Sequence, residues 1–339
     1  MIAPDVLFPN LGGIRFENIN SVAFTIFGLD IMWYGMIVFL GLALGVTTGV
    51  LMTKRNGITK DFMLDYLIIA IPVALICTRL YYVVFNWDIY RHNPVSIFAV
   101  RDGGMAVYGG ILSTFVTVYL FSRYHARKSK AKGMGTTGEI MGKIADSGAP
   151  GLLVGQIVGR IGNLVNQEAF GGFTDGLFAM QLRLANISGV YRNWSLERVI
   201  AVPEANVLGH VTYEMLQNAF YYPGTTDVVV LVHPTFLYEM LLNAAIFTFL
   251  VLYNRYKKFY GELLLFYAIL YSAGRFFIES LRTDQLTVGG TGIPASMLVS
   301  VVMFAVALSL WVVLRIRASK SKKAADVKSE DAKGETKNA

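Results

Sequence analysis

The sequence predicts an all-α integral membrane protein with seven transmembrane helices, its N-terminus outside and its C-terminus inside. A small extracytoplasmic α+β cap is expected between helices four and five. Three observations carry this expectation. Only 16% of the 339 residues are charged and 54% are hydrophobic, with mean hydropathy +0.50, whereas a soluble domain carries about 25% charged residues. The apolar residues lie in blocks of the roughly 20 residues that a helix needs to cross a hydrocarbon core. The basic residues concentrate in alternate loops.

Residues 1–30 read as an extracytoplasmic N-terminal segment. Met1-Ile2-Ala3-Pro4-Asp5 has no basic n-region, so no cleaved signal peptide is expected. Helices one to four fall within 31–166. Blocks 31–53 and 104–122 are uncharged, 66–87 carries only Arg79, and the glycine-rich 147–166 carries only Arg160. Helices five to seven fall within 233–315. Block 233–253 opens on the polar turn His233-Pro234-Thr235, 262–281 contains Arg275 and Glu279, and 293–314 is uncharged. With the N-terminus outside, every lysine lies in a cytoplasmic loop or in the tail. The net charge of +7 is therefore mostly this asymmetry.

The stretch 167–232 is too long for a simple connector. It mixes β-like runs, Phe178 to Leu184 and Asp227 to Val232, with Gly, Pro and Asn turns, as a folded cap would. Residues 316–339, rich in Ala, Lys, Ser, Asp and Glu, read as a disordered basic cytoplasmic tail that touches anionic lipid. The tail lacks aromatics for base stacking, so no nucleic-acid partner is expected. Gly41/Gly45/Gly49 and Gly151/Gly155/Gly159 repeat at four-residue spacing, which suits close helix packing.

Several chemistries are disfavoured. Cys77 is the single cysteine, so no intrachain disulfide or thiolate metal site is expected. The histidines at 92, 125, 210 and 233 lack metalloprotease spacing, and there is no acidic cluster or nucleotide loop. No metal or cofactor is expected.

Charges inside a bilayer are expensive, at about 2.5–3.5 kcal/mol each on insertion scales, and usually face a polar interior. Tyr271, Arg275, Glu279 and Arg282 share one helical face; so do Arg160, Asn163 and Asn166, and so do Arg79, Tyr82 and Asn86. Together they suggest an Arg-lined chamber open to the outside, where planar guanidinium forks match the phosphate of a lipid headgroup.

The run Gly159-Arg160-Ile161-Gly162-Asn163-Leu164-Val165-Asn166-Gln167-Glu168-Ala169-Phe170-Gly171 closely resembles the signature of bacterial prolipoprotein diacylglyceryl transferases. Trp33-Tyr34-Gly35, Arg79-Leu80-Tyr81-Tyr82, Gly103 to Gly110, His233 to Glu239, and Arg275 to Glu279 with Arg282 and Asp284 agree with it in order. The resemblance implies an enzyme of the bacterial cytoplasmic membrane, with its active site towards the extracytoplasmic side. It would move a diacylglyceryl group from phosphatidylglycerol to the lipobox cysteine thiol of a preprolipoprotein, releasing glycerol phosphate. It also implies roles. Arg160 and Arg275 would hold the phosphate, with Glu168, Glu279 and Tyr108 as further catalytic residues. Tyr34, Arg79, Asn163, Asn166, Gly171, Tyr271, Arg282, His233, Tyr238 and Glu239 would bind substrate. Many family members carry His where this chain has Tyr108, and a phenol of pKa near 10 is a poor base. Tyr108 is therefore expected to position the headgroup, and the positive field of the Arg cluster to activate the thiol, with His233 the alternative base. A transporter or flippase for an anion or anionic lipid is the alternative reading, although no inverted repeat is visible.

Overall fold

In a computed structural model the chain is mostly helical. The structure describes residues 2–99, 103–128, 135–207, 210–285 and 293–335, with side chains up to residue 320. Its long helices are α1 (Trp33–Asn56), α2 (Lys60–Phe85), α3 (Val107–Lys128), α4 (Thr137–Asn166), α5 (Thr235–Tyr253), α6 (Glu262–Leu281) and α7 (Ala295–Glu335). Among the described residues five are both long and apolar enough to cross a membrane: α1, α2, α5, α6 and the Ala295–Lys320 part of α7. The helix ends follow local chemistry. Thr59 caps α2 by accepting from the Phe62 amide at 3.2 Å. Thr136 and Glu139 form a reciprocal capping box that opens α4. Gly57, at φ +70°, ends α1 in the left-handed conformation.

Two of these helices outrun their expected limits by the most. α4 begins at Thr137 rather than near residue 147, because the charged turn 137–146 continues the helical pattern. α7 runs to Glu335, past residue 316, where a disordered tail was expected; its Ala, Lys and Glu are strong helix formers.

The chain divides into two compact units. The first (1–45, 152–250 and 266–310) holds both sheets. One is a five-stranded antiparallel sheet in the order β2 (Ile14–Phe16), β1 (Val6–Phe8), β5 (Met180–Arg183), β7 (Val228–Val232), β6 (Phe220–Tyr221). The other is the hairpin of β3 (Val22–Ile26) and β4 (Leu29–Met32). The N-terminal segment and the 167–232 region are thus one folded body, since Val6 pairs with Leu182 across the β1–β5 seam. Its core includes Val6, Leu182, Met215, Leu216, Val230 and Phe236, each such residue contributing about 1.5–3 kcal/mol on full burial. The glycine repeats act in packing here: a Cβ on Gly41 would lie 3.1 Å from the Gly155 carbonyl.

The second unit comprises 46–151, 251–265 and 311–339. α2 and α3 pack so closely that a Cβ on Gly109 would overlap the Cys77 carbonyl. Buried Asp146 accepts from Lys257 Nζ and from the Gly261 and Leu263 amides, all at 2.9 Å. Lys257 also donates to Asn56 at 2.6 Å. These bonds fasten the α5–α6 connection to α4.

Candidate active site

The signature run supplies the end of α4 and the loop that leaves it. Arg160 reaches across to the fully buried Glu239 of α5 at 2.5 Å. Arg275 of α6 reaches the other oxygen of the same carboxylate at 2.6 Å. Tyr271, one turn before Arg275, donates to Glu239 Oε1 at 3.0 Å. Two guanidiniums on separate helices are thereby held by a single carboxylate. A guanidinium has five N–H donors; hydrogen bonds occupy two on Arg160 and one on Arg275, which also stands in an ion pair with Glu279. Among the described residues the other N–H groups have no hydrogen-bond partner.

Carboxylates flank this clamp. Glu279 pairs with Arg275 at 2.5 Å and lies 4.0 Å from Arg282. Arg282 grips Asp284 in bidentate fashion at 2.9 and 2.7 Å. Burial alone would raise the Asp284 carboxyl, but the Arg282 fork overrides it and holds the group below its ordinary value. Arg160, Arg275 and Arg282 are therefore matched by Glu239, Glu279 and Asp284. These ion pairs present oriented donors with their charge matched.

The loop after α4 is held by its own side chains. Arg160 also donates to Asn163 Oδ1 at 3.3 Å. The amides of Asn163 and Asn166 both donate to Glu168 Oε1, at 3.0 and 3.1 Å. Gln167 and Ala169 are left-handed, at φ 53° and 56°, a conformation costly for side-chain-bearing residues. Anchors on either side hold them there. Thr235 Oγ1 donates to the Ala169 carbonyl at 2.6 Å, and the Gly171 amide donates to the His233 carbonyl at 2.8 Å. A Cβ on Gly171 would strike the Leu281 carbonyl, and one on Gly162 would lie 2.6 Å from the Tyr34 ring. Both signature glycines thus make room for a neighbouring element. His233 Nδ1 and the Tyr238 hydroxyl are 3.0 Å apart. Burial lowers the His233 imidazole below its ordinary value, against a smaller opposing pull from Glu214.

Arg160, Asn163, Asn166, Glu168, Gly171, His233, Tyr238, Glu239, Tyr271, Arg275, Glu279 and Arg282 all belong to the first unit, as does Tyr34. Arg79 and Tyr108 belong to the second. Arg79 is buried, with its guanidinium caged by backbone carbonyls: Ile97 at 2.8 Å, Gly103 at 2.6 Å, Gly104 at 2.9 Å, Ser96 at 2.8 Å and Ala99 at 3.3 Å. Arg79 thereby ties residues 96–99 and 103–104 to α2. Its cage also explains Gly104, where φ is +77° and a Cβ would lie 2.5 Å from Arg79 Nη1. Tyr108 is exposed in the first turn of α3, its ring 6.5 Å from that of Tyr81. Sequence reasoning missed Gln156 and Tyr267, each one turn from a selected residue and joined by a 2.8 Å hydrogen bond.

The family model described as prolipoprotein diacylglyceryl transferase matches residues 21–313. The chain belongs to this family. Among prolipoprotein diacylglyceryl transferases, a Clostridioides difficile protein is 37% identical over 270 residues, 80% of this chain and 86% of the relative. A Lysinibacillus sphaericus protein is 33% identical over 311 residues, 92% and 98% of the two chains. A Bacillus velezensis protein is 32% identical over 308 residues, 91% and 97%. Each carries the name phosphatidylglycerol–prolipoprotein diacylglyceryl transferase.

Proposed function

We propose that this membrane enzyme transfers the diacylglyceryl group of phosphatidylglycerol to the lipobox cysteine thiol of a preprolipoprotein, the first step of bacterial lipoprotein maturation. It acts from the bacterial cytoplasmic membrane. α3 and α4 join the five apolar helices as spans, giving seven, with the N-terminus and the site outside and the C-terminus inside. The observation that carries the reading is the pair of arginines on separate helices held by one buried carboxylate.

The thiolate attacks the glyceryl CH₂ that bears the phosphate ester. A C–S bond forms, the C–O bond breaks, and its electron pair leaves on the phosphate oxygen of glycerol phosphate. Charge on that oxygen grows in the transition state. Fixed donors placed there are worth about 10²–10³ in rate each. Arg160 and Arg275 supply them, and Glu239, whose two oxygens already accept from both arginines, is their positioning residue. Glu279 orders Arg275 from the other side. Asn163, Asn166 and Glu168 hold the loop that carries Gly171, with Tyr34 against Gly162. Arg282 completes the rim.

Because carboxylates balance the arginines, thiol activation is assigned to His233. Burial favours its neutral form, and when Nδ1–H donates to the Tyr238 oxygen, Nε2 is left to take the thiol proton. A free thiol has a pKa near 8.5, so a base of this kind is needed at pH 7. The shared name of the relatives describes group transfer, which leaves the transporter alternative without support.

The test is the release of glycerol phosphate from phosphatidylglycerol by purified protein. Release should depend on a lipobox peptide with cysteine and stop when serine replaces it. Release that ignores the peptide, or no release at all, would contradict the reading.

A further inference from the structure

One turn from the clamp, the same three helices carry a second set of polar side chains. Gln156 lies four residues before Arg160 on α4, Asn243 four after Glu239 on α5, and Tyr267 four before Tyr271 on α6. Residues four apart share a helix face about 5–6 Å apart. α5 runs antiparallel to α6, because Glu239 meets Arg275 while Phe249 meets Phe266. α4 runs parallel to α6, because Gln156 meets Tyr267 while Arg160 and Tyr271 share Glu239. All three residues therefore step to the same side of the clamp and form one layer.

The hydrogen bonds of this layer do not close among the described residues. Gln156 Nε2 donates to the Tyr267 oxygen at 2.8 Å, so that oxygen is an acceptor and its own proton remains to be given. Gln156 Oε1 is buried without a partner, and so are both amide ends of the fully buried Asn243. A buried polar group left unpaired costs about 1–3 kcal/mol, and packing alone would favour leucine here. Three helices instead bring such groups to one level. The Tyr267 ring stacks on Tyr271, with centroids 5.5 Å apart and planes at 16°, so its orientation is fixed.

We propose, resting on the transfer reading above, that this layer is a subsite for the acyl-ester carbonyls of the donor lipid. A diacylglyceryl phosphate presents two ester carbonyls one glyceryl unit away from its phosphate, and carbonyls only accept. With the phosphate on Arg160 and Arg275, the esters fall about one helical turn further along. There the Tyr267 hydroxyl is the first donor and the Asn243 amide the second. Gln156 holds the Tyr267 oxygen so that its proton points to the lipid. The subsite thus fixes the glyceryl carbon for attack and selects ester-linked over ether-linked donors.

The experiment compares phosphatidylglycerol carrying two ester-linked chains with its diether analogue, whose chains lack the carbonyls, using a lipobox peptide as acceptor. Wild type should use the diester with kcat/KM about tenfold higher, the worth of about one hydrogen bond in a low-dielectric site. In Tyr267→Phe, which keeps the ring stack, and in Asn243→Leu, that ratio should fall towards one. Equal use of both donors by wild type would overturn the subsite. So would an unchanged ratio in both variants: Tyr267 would then act only through Tyr271, and the layer would hold water or nothing. If wild type transferred neither lipid, the transfer reading itself would fail, an outcome distinct from the other two.

Discussion

Replacing Glu239 by glutamine removes one charge and almost no volume from a site where two guanidiniums meet. The carboxylate accepts from Arg160 at 2.5 Å, Arg275 at 2.6 Å and Tyr271 at 3.0 Å, and its side chain is 1% exposed. A glutamine amide has one acceptor end and one donor end. Whichever way it turns, one arginine faces an N–H group and must swing away. Breaking one partner of a buried ion pair costs about 3–5 kcal/mol, and one misplaced transition-state donor costs about 10²–10³ in rate. Glu239→Gln is therefore expected to lower kcat about a hundredfold or more. The assay is the mass gain of a lipobox peptide at saturating phosphatidylglycerol, with thermal unfolding in detergent to show that the protein is folded. A folded variant that keeps kcat within threefold of wild type would refute the idea that Glu239 positions the arginines.

Arg275→Lys should also lose about a hundredfold in rate, because a single ammonium does not serve Glu239 and Glu279 together as a fork does; steady-state transfer kinetics measure it. Gly104→Ala should lower stability by about 1–3 kcal/mol, seen as a lower Tm, because the position is left-handed and its Cβ would push Arg79 out of its carbonyl cage. For His233, burial holds the imidazole below its ordinary value near 6.5. A base acts in its deprotonated form, so kcat/KM should be level above that pH and fall in acid below it. His233→Gln should be slower and lose that acid limb; a pH profile with the same limb in the variant would exclude His233 as the base.

The apolar blocks were legible because bilayer-facing residues leave a charge-free signature, and Arg275 with Glu279 was legible because i,i+4 spacing puts both on one face. The partnership of Arg160 and Arg275 through Glu239 was not. It joins three helices, and helical periodicity says nothing about which faces meet. Strands β1 and β2 were missed because three-residue strands show no alternation. The cage around Arg79 was not legible for a related reason: its partners are backbone carbonyls, which a sequence does not display. Lys257 read as a loop charge of the positive-inside kind, yet it is tied to buried Asp146.

The most direct measurement is the intact mass of a lipobox peptide after incubation with phosphatidylglycerol and purified enzyme. Wild type should add one diacylglyceryl group to the cysteine as a thioether, and Arg160→Lys, folded to the same Tm, should add it at least about a hundredfold more slowly. No mass gain with wild type, or an undiminished rate in the variant, would contradict transfer at the Arg160–Glu239–Arg275 clamp.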